Sequence, residues 1–302
     1  MNATRRTGPI RWLFLAVFTV AAAAPEAALS FAKATVLGIV EGVTEFLPVS
    51  STGHLLIAER LMDLGVGAQK SAFDSFTIVI QFGAIVAVAL IYWRHILGFF
   101  NGLIGRDTQG RQGLINLVVA FLPAAVIGQL FGDTIKEHFL NPTAVGIAWI
   151  VGGVVILMSA KFLQTRTVSI DSIADIGIRN SVIIGLAQTL ALWPGTSRSL
   201  VTLLAALALG VSMSAAVEFS FLLGLITLSA ASFYEVAKNG SEIADVVGLS
   251  TAAWGTLVAG IAAFASVKFM IGWLTKHGLE LFAWYRICAG IAVFGLLAAS
   301  ML

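Results

Sequence analysis

The chain has 302 residues but only 34 charged side chains, 18 Lys and Arg against 16 Asp and Glu, or 11% of the total; ordinary soluble domains carry about 25%. Hydrophobic residues make up 58%, and mean hydropathy is +0.95. These figures exclude a soluble globular enzyme, a disordered chain and a nucleic-acid binder, and they disfavour a transmembrane barrel, whose alternating strands keep average hydropathy low.

What remains is an all-α polytopic membrane protein. The net charge of +2 implies no strongly charged partner, and the single Cys288 excludes an internal disulfide. At the N-terminus, Arg5, Arg6 and Arg11 precede the apolar run Trp12–Ala24, and small residues follow. That is a signal-peptide pattern, cleaved or retained as an extra membrane segment. Residues 1–32 are therefore set apart from a single integral-membrane domain at 33–302.

The first apolar stretch of that domain, Thr35–Leu61, is broken in its middle by proline, glycine, hydroxyl and ionisable residues. Three unbroken runs follow, Phe76–Trp93, Leu114–Phe131 and Thr143–Ala160, each near the ~20 residues a bilayer requires. A second broken stretch, Ser181–Leu209, precedes three more runs: Ala215–Tyr234, Ser250–Val267 and Trp284–Leu302. Trp93, Tyr234 and Trp284 stand at run ends, as interface aromatics do.

Basic residues orient the runs. Segments 94–113 (Arg94, Arg106, Arg111), 161–180 (Lys161, Arg166, Arg179) and 268–283 (Lys268, Lys276, with Arg286 just beyond) are rich in them and face the cytoplasm. Segments 132–142 and 235–249 are poor and face out. With 161–180 inside and 235–249 outside, Ser181–Leu209 must leave the cytoplasm and return to it, and by the same logic Thr35–Leu61 re-enters from the outside. Non-helical backbone at membrane depth survives only where protein or a wet cavity covers it, so the two breaks are expected to meet near the midplane. The fold expected is six transmembrane helices plus two re-entrant helical hairpins, arranged as an inverted-topology repeat with halves at about 33–160 and 181–302. The match of Gly38-Ile-Val-Glu41 … Pro48-Val-Ser-Ser51 to Gly185-Leu-Ala-Gln188 … Pro194-Gly-Thr-Ser197 supports the repeat weakly. Inverted repeats of this kind hold their ligand at the repeat interface.

The first break reads Glu41-Gly-Val-Thr-Glu45-Phe-Leu-Pro48-Val-Ser50-Ser51-Thr52-Gly53-His54. Glu41 and Glu45 share a helix face, and two carboxylates one turn apart at membrane depth need a counter-charge, a cation or a shared proton. Ser50, Ser51, Thr52 and Gly53 offer hydroxyls and backbone N–H groups to an anion, and His54 can act as acid, base or nucleophile. The second break reads Trp193-Pro194-Gly195-Thr196-Ser197-Arg198-Ser199-Leu-Val-Thr202. Arg198, the only basic residue between Arg179 and Lys238, has a planar fork suited to phosphate, or it bridges to Glu41 or Glu45. Thr196, Ser197, Ser199 and Thr202 surround it with hydrogen-bonding groups. Glu218, Asp74, Gln81 and Gln188 are weaker candidates, and His95, His138 and His277 carry no assigned role. Oxygen ligands suit Mg²⁺ or Ca²⁺, with Mg²⁺ bridging to substrate phosphates. Together these parts suit phosphoryl transfer from a phosphorylated lipid.

The two breaks resemble the paired signature motifs of the undecaprenyl-diphosphate phosphatase, or bacitracin-resistance protein, family, and the likeness spans roughly residues 33–300. The resemblance implies an enzyme of the bacterial cytoplasmic (inner) membrane, open to the periplasmic side. It would hydrolyse undecaprenyl diphosphate to the monophosphate and phosphate, recycling the carrier of peptidoglycan synthesis and conferring bacitracin resistance. It carries over Glu41 and Glu45 as metal or catalytic carboxylates, Ser51 with Ser50 and Thr52, His54, and Ser197 with Arg198. The implied partners are the lipid substrate, the bilayer and, as one assembly to test, a second copy of the chain. Two departures stand out: Leu200-Val201 where Gly-Ala is usual, and Gly224-Leu225-Ile226 where a proline is usual. A polyprenyl-phosphate transporter or scramblase is the alternative that the inverted repeat raises. A vanadium-haloperoxidase-like lipid phosphatase would need a second histidine soon after Arg198, and the next is His277.

Overall fold

A computed structural model describes residues 29–64 and 70–302; the signal-like run Trp12–Ala24 lies outside the described residues. Among the described residues eleven α-helices follow one another: α1 Phe31–Thr44, α2 Ser51–Leu61, α3 Lys70–Ile91, α4 Trp93–Leu103, α5 Thr108–Phe139, α6 Pro142–Gln164, α7 Gly177–Thr189, α8 Arg198–Ala208, α9 Met213–Val246, α10 Leu249–His277 and α11 Glu280–Ala298. Short polar side chains start several of them by accepting a free first-turn N–H. Ser30 accepts from Lys33, Asp107 from Gly110, and Asn141 from Ala144 with Pro142 at the first helical position. Among the described residues the β-type pairing is limited to one isolated bridge, Ile170 to Val211, which ties the segment between the halves to the end of α8.

Among the described residues, six helices are long and apolar enough to cross a membrane: Phe73–Ile91, Thr108–Phe139, Pro142–Ala160, Met213–Lys238, Leu249–His277 and Glu280–Ala298. Each overlaps one of the six expected runs. Their ends differ from expectation, because an apolar run measures only the part of a helix at membrane depth. Backbone bonding continues until a cap interrupts it. Thus α5 runs to Phe139 and α9 to Val246 through segments expected as loops, and the expected loop after Trp93 holds α4. Glu235, expected in a loop, is buried in α9 and accepts a hydrogen bond from Ser75 Oγ at 2.6 Å.

The helices pair according to an approximate two-fold relation. The first arm of the first broken segment, α1, packs on α10, while the first arm of the second, α7, packs on α5. The helices that follow each broken segment, α3 and α9, pack on each other, and so do the last of each half, α6 and α11. Small residues let the backbones approach, as at membrane helix interfaces generally. A Cβ on Gly38 would come within 2.6 Å of the Gly255 carbonyl oxygen, and one on Gly185 within 3.0 Å of Ala120 Cα. Gly38 and Gly185 are the positions matched between the halves by sequence. The segments rich in basic residues, 94–113 and 161–180, meet at one end, where Asn116 donates to the carbonyls of Ile173 and Ala174 at 2.9 and 3.1 Å.

Candidate active site

Both broken segments are helix–turn–helix units, and their turns come together. Each second arm starts from a serine with a left-handed backbone, Ser50 at φ 72° and Ser197 at φ 76°. Such a conformation is uncommon for a residue other than glycine and marks a sharply aimed chain. The repeat therefore equates Ser50 with Ser197, and Ser51 with Arg198. This is one residue off the letter match of Ser51 to Ser197, because the second turn has one more residue between its proline and the cap. At the head of each second arm, Ser51 and Arg198 occupy the first helical position, where free N–H groups and the helix dipole favour an anion.

Glu45 joins the two turns. Its Oε2 accepts the Ser51 hydroxyl, and its Oε1 faces Arg198 Nη2 at 3.3 Å. The side chains of Arg198 and Glu45 are only 10% and 6% exposed, so screening by water is weak. Arg198 also donates from Nη1 to the Ser220 carbonyl at 2.9 Å and stacks its guanidinium over Phe46. Gly224 makes room for it: a Cβ there would overlap the guanidinium. One departure from the family pattern thus sits directly under Arg198. The other is benign here, since Leu200 turns into the core and α8 still begins at Arg198.

Glu41 is fully buried, no donor reaches either of its carboxylate oxygens, and its carboxyl lies against that of Glu45. A buried carboxylate in that state calls for a proton or a cation. Among the described residues no group of three or more His, Cys, Asp and Glu is arranged to hold a metal ion. Two carboxylates fit Mg²⁺ only where substrate phosphates and water complete its shell, which is the usual manner for that ion.

The remaining expected residues divide. Ser199 Oγ donates to the Leu47 carbonyl at 2.9 Å, and Ser197 Oγ lies 3.0 Å from Ser199 Oγ while accepting from Leu200 N at 3.3 Å. Thr202 donates to the Arg198 carbonyl at 2.8 Å and stands 2.7 Å from Ser220 Oγ. These hydroxyls hold the turns in place. Thr52 is exposed and Thr196 half-buried. Gly53 is a packing position, where a Cβ would lie 2.9 Å from the Trp149 ring. His54 turns toward α6 and α11. Its Nδ1 lies 2.7 Å from the Ser50 carbonyl and its Nε2 2.6 Å from the Tyr285 hydroxyl, and the ring packs on Trp149 and Tyr285. A carbonyl only accepts, so Nδ1 carries the proton and Nε2 accepts from Tyr285. Neither nitrogen bonds to Glu45, Ser51 or Arg198. Of the weaker candidates, Glu218 pairs with His95 at 3.0 Å, and Gln188 accepts from Thr227 at 3.4 Å.

Sequence reasoning missed Arg286. Counted among loop charges, it is instead completely buried in α11 and donates to the carbonyls of Pro48, Ala148 and Gly195. Its position inside the run Trp284–Leu302 was the available signal, because an arginine at membrane depth is a functional candidate by default.

Residues 34–292 match the family described as bacitracin resistance protein BacA. A protein named undecaprenyl-diphosphatase 2 from Rhodospirillum rubrum is 44% identical over 86% of this chain and 93% of its own length. An undecaprenyl-diphosphatase from Bradyrhizobium diazoefficiens is 43% identical over 89% and 97%, respectively. Undecaprenyl-diphosphatase 1 from Acinetobacter baylyi is 39% identical over 86% and 93%.

Proposed function

The chain belongs to the bacitracin resistance protein BacA family, and from that premise we propose that it is an undecaprenyl-diphosphatase. It hydrolyses undecaprenyl diphosphate to undecaprenyl phosphate and inorganic phosphate, returning the lipid carrier to peptidoglycan synthesis, and its abundance confers bacitracin resistance. The observation that carries the reading is the chain of contacts Ser51–Glu45–Arg198: a hydroxyl nucleophile, a carboxylate that takes its proton and a cation for the phosphate, drawn from both turns. That is the nucleophile-plus-base geometry of covalent catalysis.

In this mechanism Arg198 and the N-termini of α2 and α8 bind the diphosphate. Ser51 Oγ forms a bond to the terminal phosphorus while its proton passes to Glu45. The bond from that phosphorus to the bridging oxygen breaks, and undecaprenyl phosphate leaves. Water then cleaves the serine phosphate ester and releases phosphate. Ser50, Thr52, Gly53, Thr196, Ser197, Ser199 and Thr202 shape the turns around the substrate. His54 fixes the Ser50 peptide beside the nucleophile. Glu41 and Glu45 would hold a Mg²⁺ or Ca²⁺ ion, which when bound neutralises diphosphate charge.

On this reading the protein lies in the bacterial inner membrane, with both broken segments re-entrant and the site open to the periplasmic side. The charge asymmetry of the loops and the burial of both turns support this placement. Phosphate release from undecaprenyl diphosphate by the purified chain, with and without Mg²⁺, tests the activity; radiolabelled phosphate trapped on Ser51 tests the nucleophile. A second reading, movement of polyprenyl phosphate across the bilayer, is favoured by the two-fold pairing of the helices. It predicts lipid flux without phosphate release.

A further inference from the structure

We propose that Arg286 is a positioning residue that locks the two turns in reacting register; the proposal rests on the phosphatase reading above. Its guanidinium bonds to Pro48 O at 3.2 Å in the first turn, to Gly195 O at 2.9 Å in the second, and to Ala148 O at 2.9 Å in α6. Pro48 and Gly195 each lie two residues before the left-handed serine that starts the second arm, Ser50 or Ser197. They are therefore equivalent peptides of the two repeats, read by one side chain. Each is followed within a few residues by the groups that must act together, Ser51 on one side and Arg198 on the other.

The bonding pattern matches this role better than charge balance does. Arg286 forms no ion pair among the described residues and is completely buried. Its two Nη groups make all three bonds, while Nε is buried without a partner; so costly a buried cation points to what its Nη groups hold together rather than to charge balance. The planar fork can address several carbonyls at fixed angles, which a lysine ammonium cannot. The slot is shaped for it: Gly152 of α6 lies against the guanidinium, and a Cβ there would overlap Nη2 and come within 2.8 Å of Cζ. Arg198 likewise lies against Gly224, so each half lends a bare backbone surface to one arginine of the site.

The test uses the purified full chain as wild type, Arg286→Lys and Gly152→Ala. The lysine keeps the charge but not the fork. The alanine keeps the arginine but fills its slot, in a helix that tolerates alanine better than glycine. The expected result is a loss of kcat of about a hundredfold in both variants, because a small displacement of reacting groups costs that much. KM stays within about threefold, since each turn still binds its share of substrate. Hydrogen exchange accelerates in segments 45–50 and 193–197 while the flanking helices and the melting temperature hold. Unchanged exchange in both turns overturns the proposal. So does a uniform acceleration in all helices, which marks a general structural role, or a kcat within threefold of wild type. A wild-type chain that releases no phosphate overturns the phosphatase reading instead, and the exchange experiment still decides whether Arg286 clamps the turns.

Discussion

The carboxylate of Glu45 and the guanidinium of Arg198 stand 3.3 Å apart although 153 residues separate them in sequence. Each comes from the break of a different half, and each has a second partner: Ser51 for Glu45 and the Ser220 carbonyl for Arg198. With both side chains almost excluded from solvent, removing one partner leaves the other as an uncompensated charge.

Replacing Glu45 by Gln removes both the base for Ser51 and the counter-charge of Arg198. Phosphate release is expected to fall by about 10²–10⁴-fold in kcat, the range for loss of a general base. Steady-state kinetics on the purified variant measure it, and a kcat within tenfold of wild type refutes the role of Glu45 as base.

Glu41 is a different case, being buried against the Glu45 carboxyl with no donor for either oxygen. Glu41→Gln removes a desolvated carboxylate without changing shape, so the melting temperature without divalent ions is expected to hold or rise. The Mg²⁺ concentration for half-maximal activity is expected to increase tenfold or more. An unchanged Mg²⁺ requirement removes Glu41 from the proposed cation site.

Gly224→Ala places a methyl group into the Arg198 guanidinium. Alanine is the better helix former by about 1 kcal/mol, so α9 gains locally while Arg198 is pushed away from Glu45. Loss of the buried pair outweighs that gain, so the expected outcome is a fall in kcat/KM of about a hundredfold with some drop in melting temperature. Wild-type kcat/KM in this variant means that Arg198 does not need its present position.

In α4, His95 Nε2 lies 3.0 Å from the Glu218 carboxylate, and the hydrogen bond to Glu218 raises the imidazole above the ordinary histidine value. A raised value in the folded state contributes stability that is complete below the ordinary histidine range, about pH 6.5, and is lost as pH climbs through the raised value. The two side chains are 41% and 24% exposed, so the effect is small. Melting curves from about pH 6 to about pH 9 should show a decline in wild type that Glu218→Gln flattens. Equal slopes in the two proteins discount the pair.

His54 illustrates where reading by residue type stops. Beside Glu41, Glu45 and three hydroxyls in sequence, it reads as an acid or base. One helical turn separates it from Ser50, however, and that turn aims its ring at Tyr285 and Trp149 of other helices. Chain proximity brought the histidine near the motif, but side-chain direction on α2 decided which neighbours it meets.

Composition alone determined that the chain lies in a bilayer, because 11% charged residues cannot clothe a soluble surface of this length. The positions of the scarce charges and prolines determined where the apolar pattern breaks, and so located Glu41, Glu45, Ser51 and Arg198. Those are local properties, visible in any short window. The one-residue offset between the turns depends on backbone angles at Ser50 and Ser197. The removal of Arg286 from the loops to a bond between equivalent carbonyls depends on how α11 packs on α6 beside Gly152. Only the tertiary structure decided these, because hydrogen bonds between residues 91 and 238 positions apart leave no periodic trace in sequence.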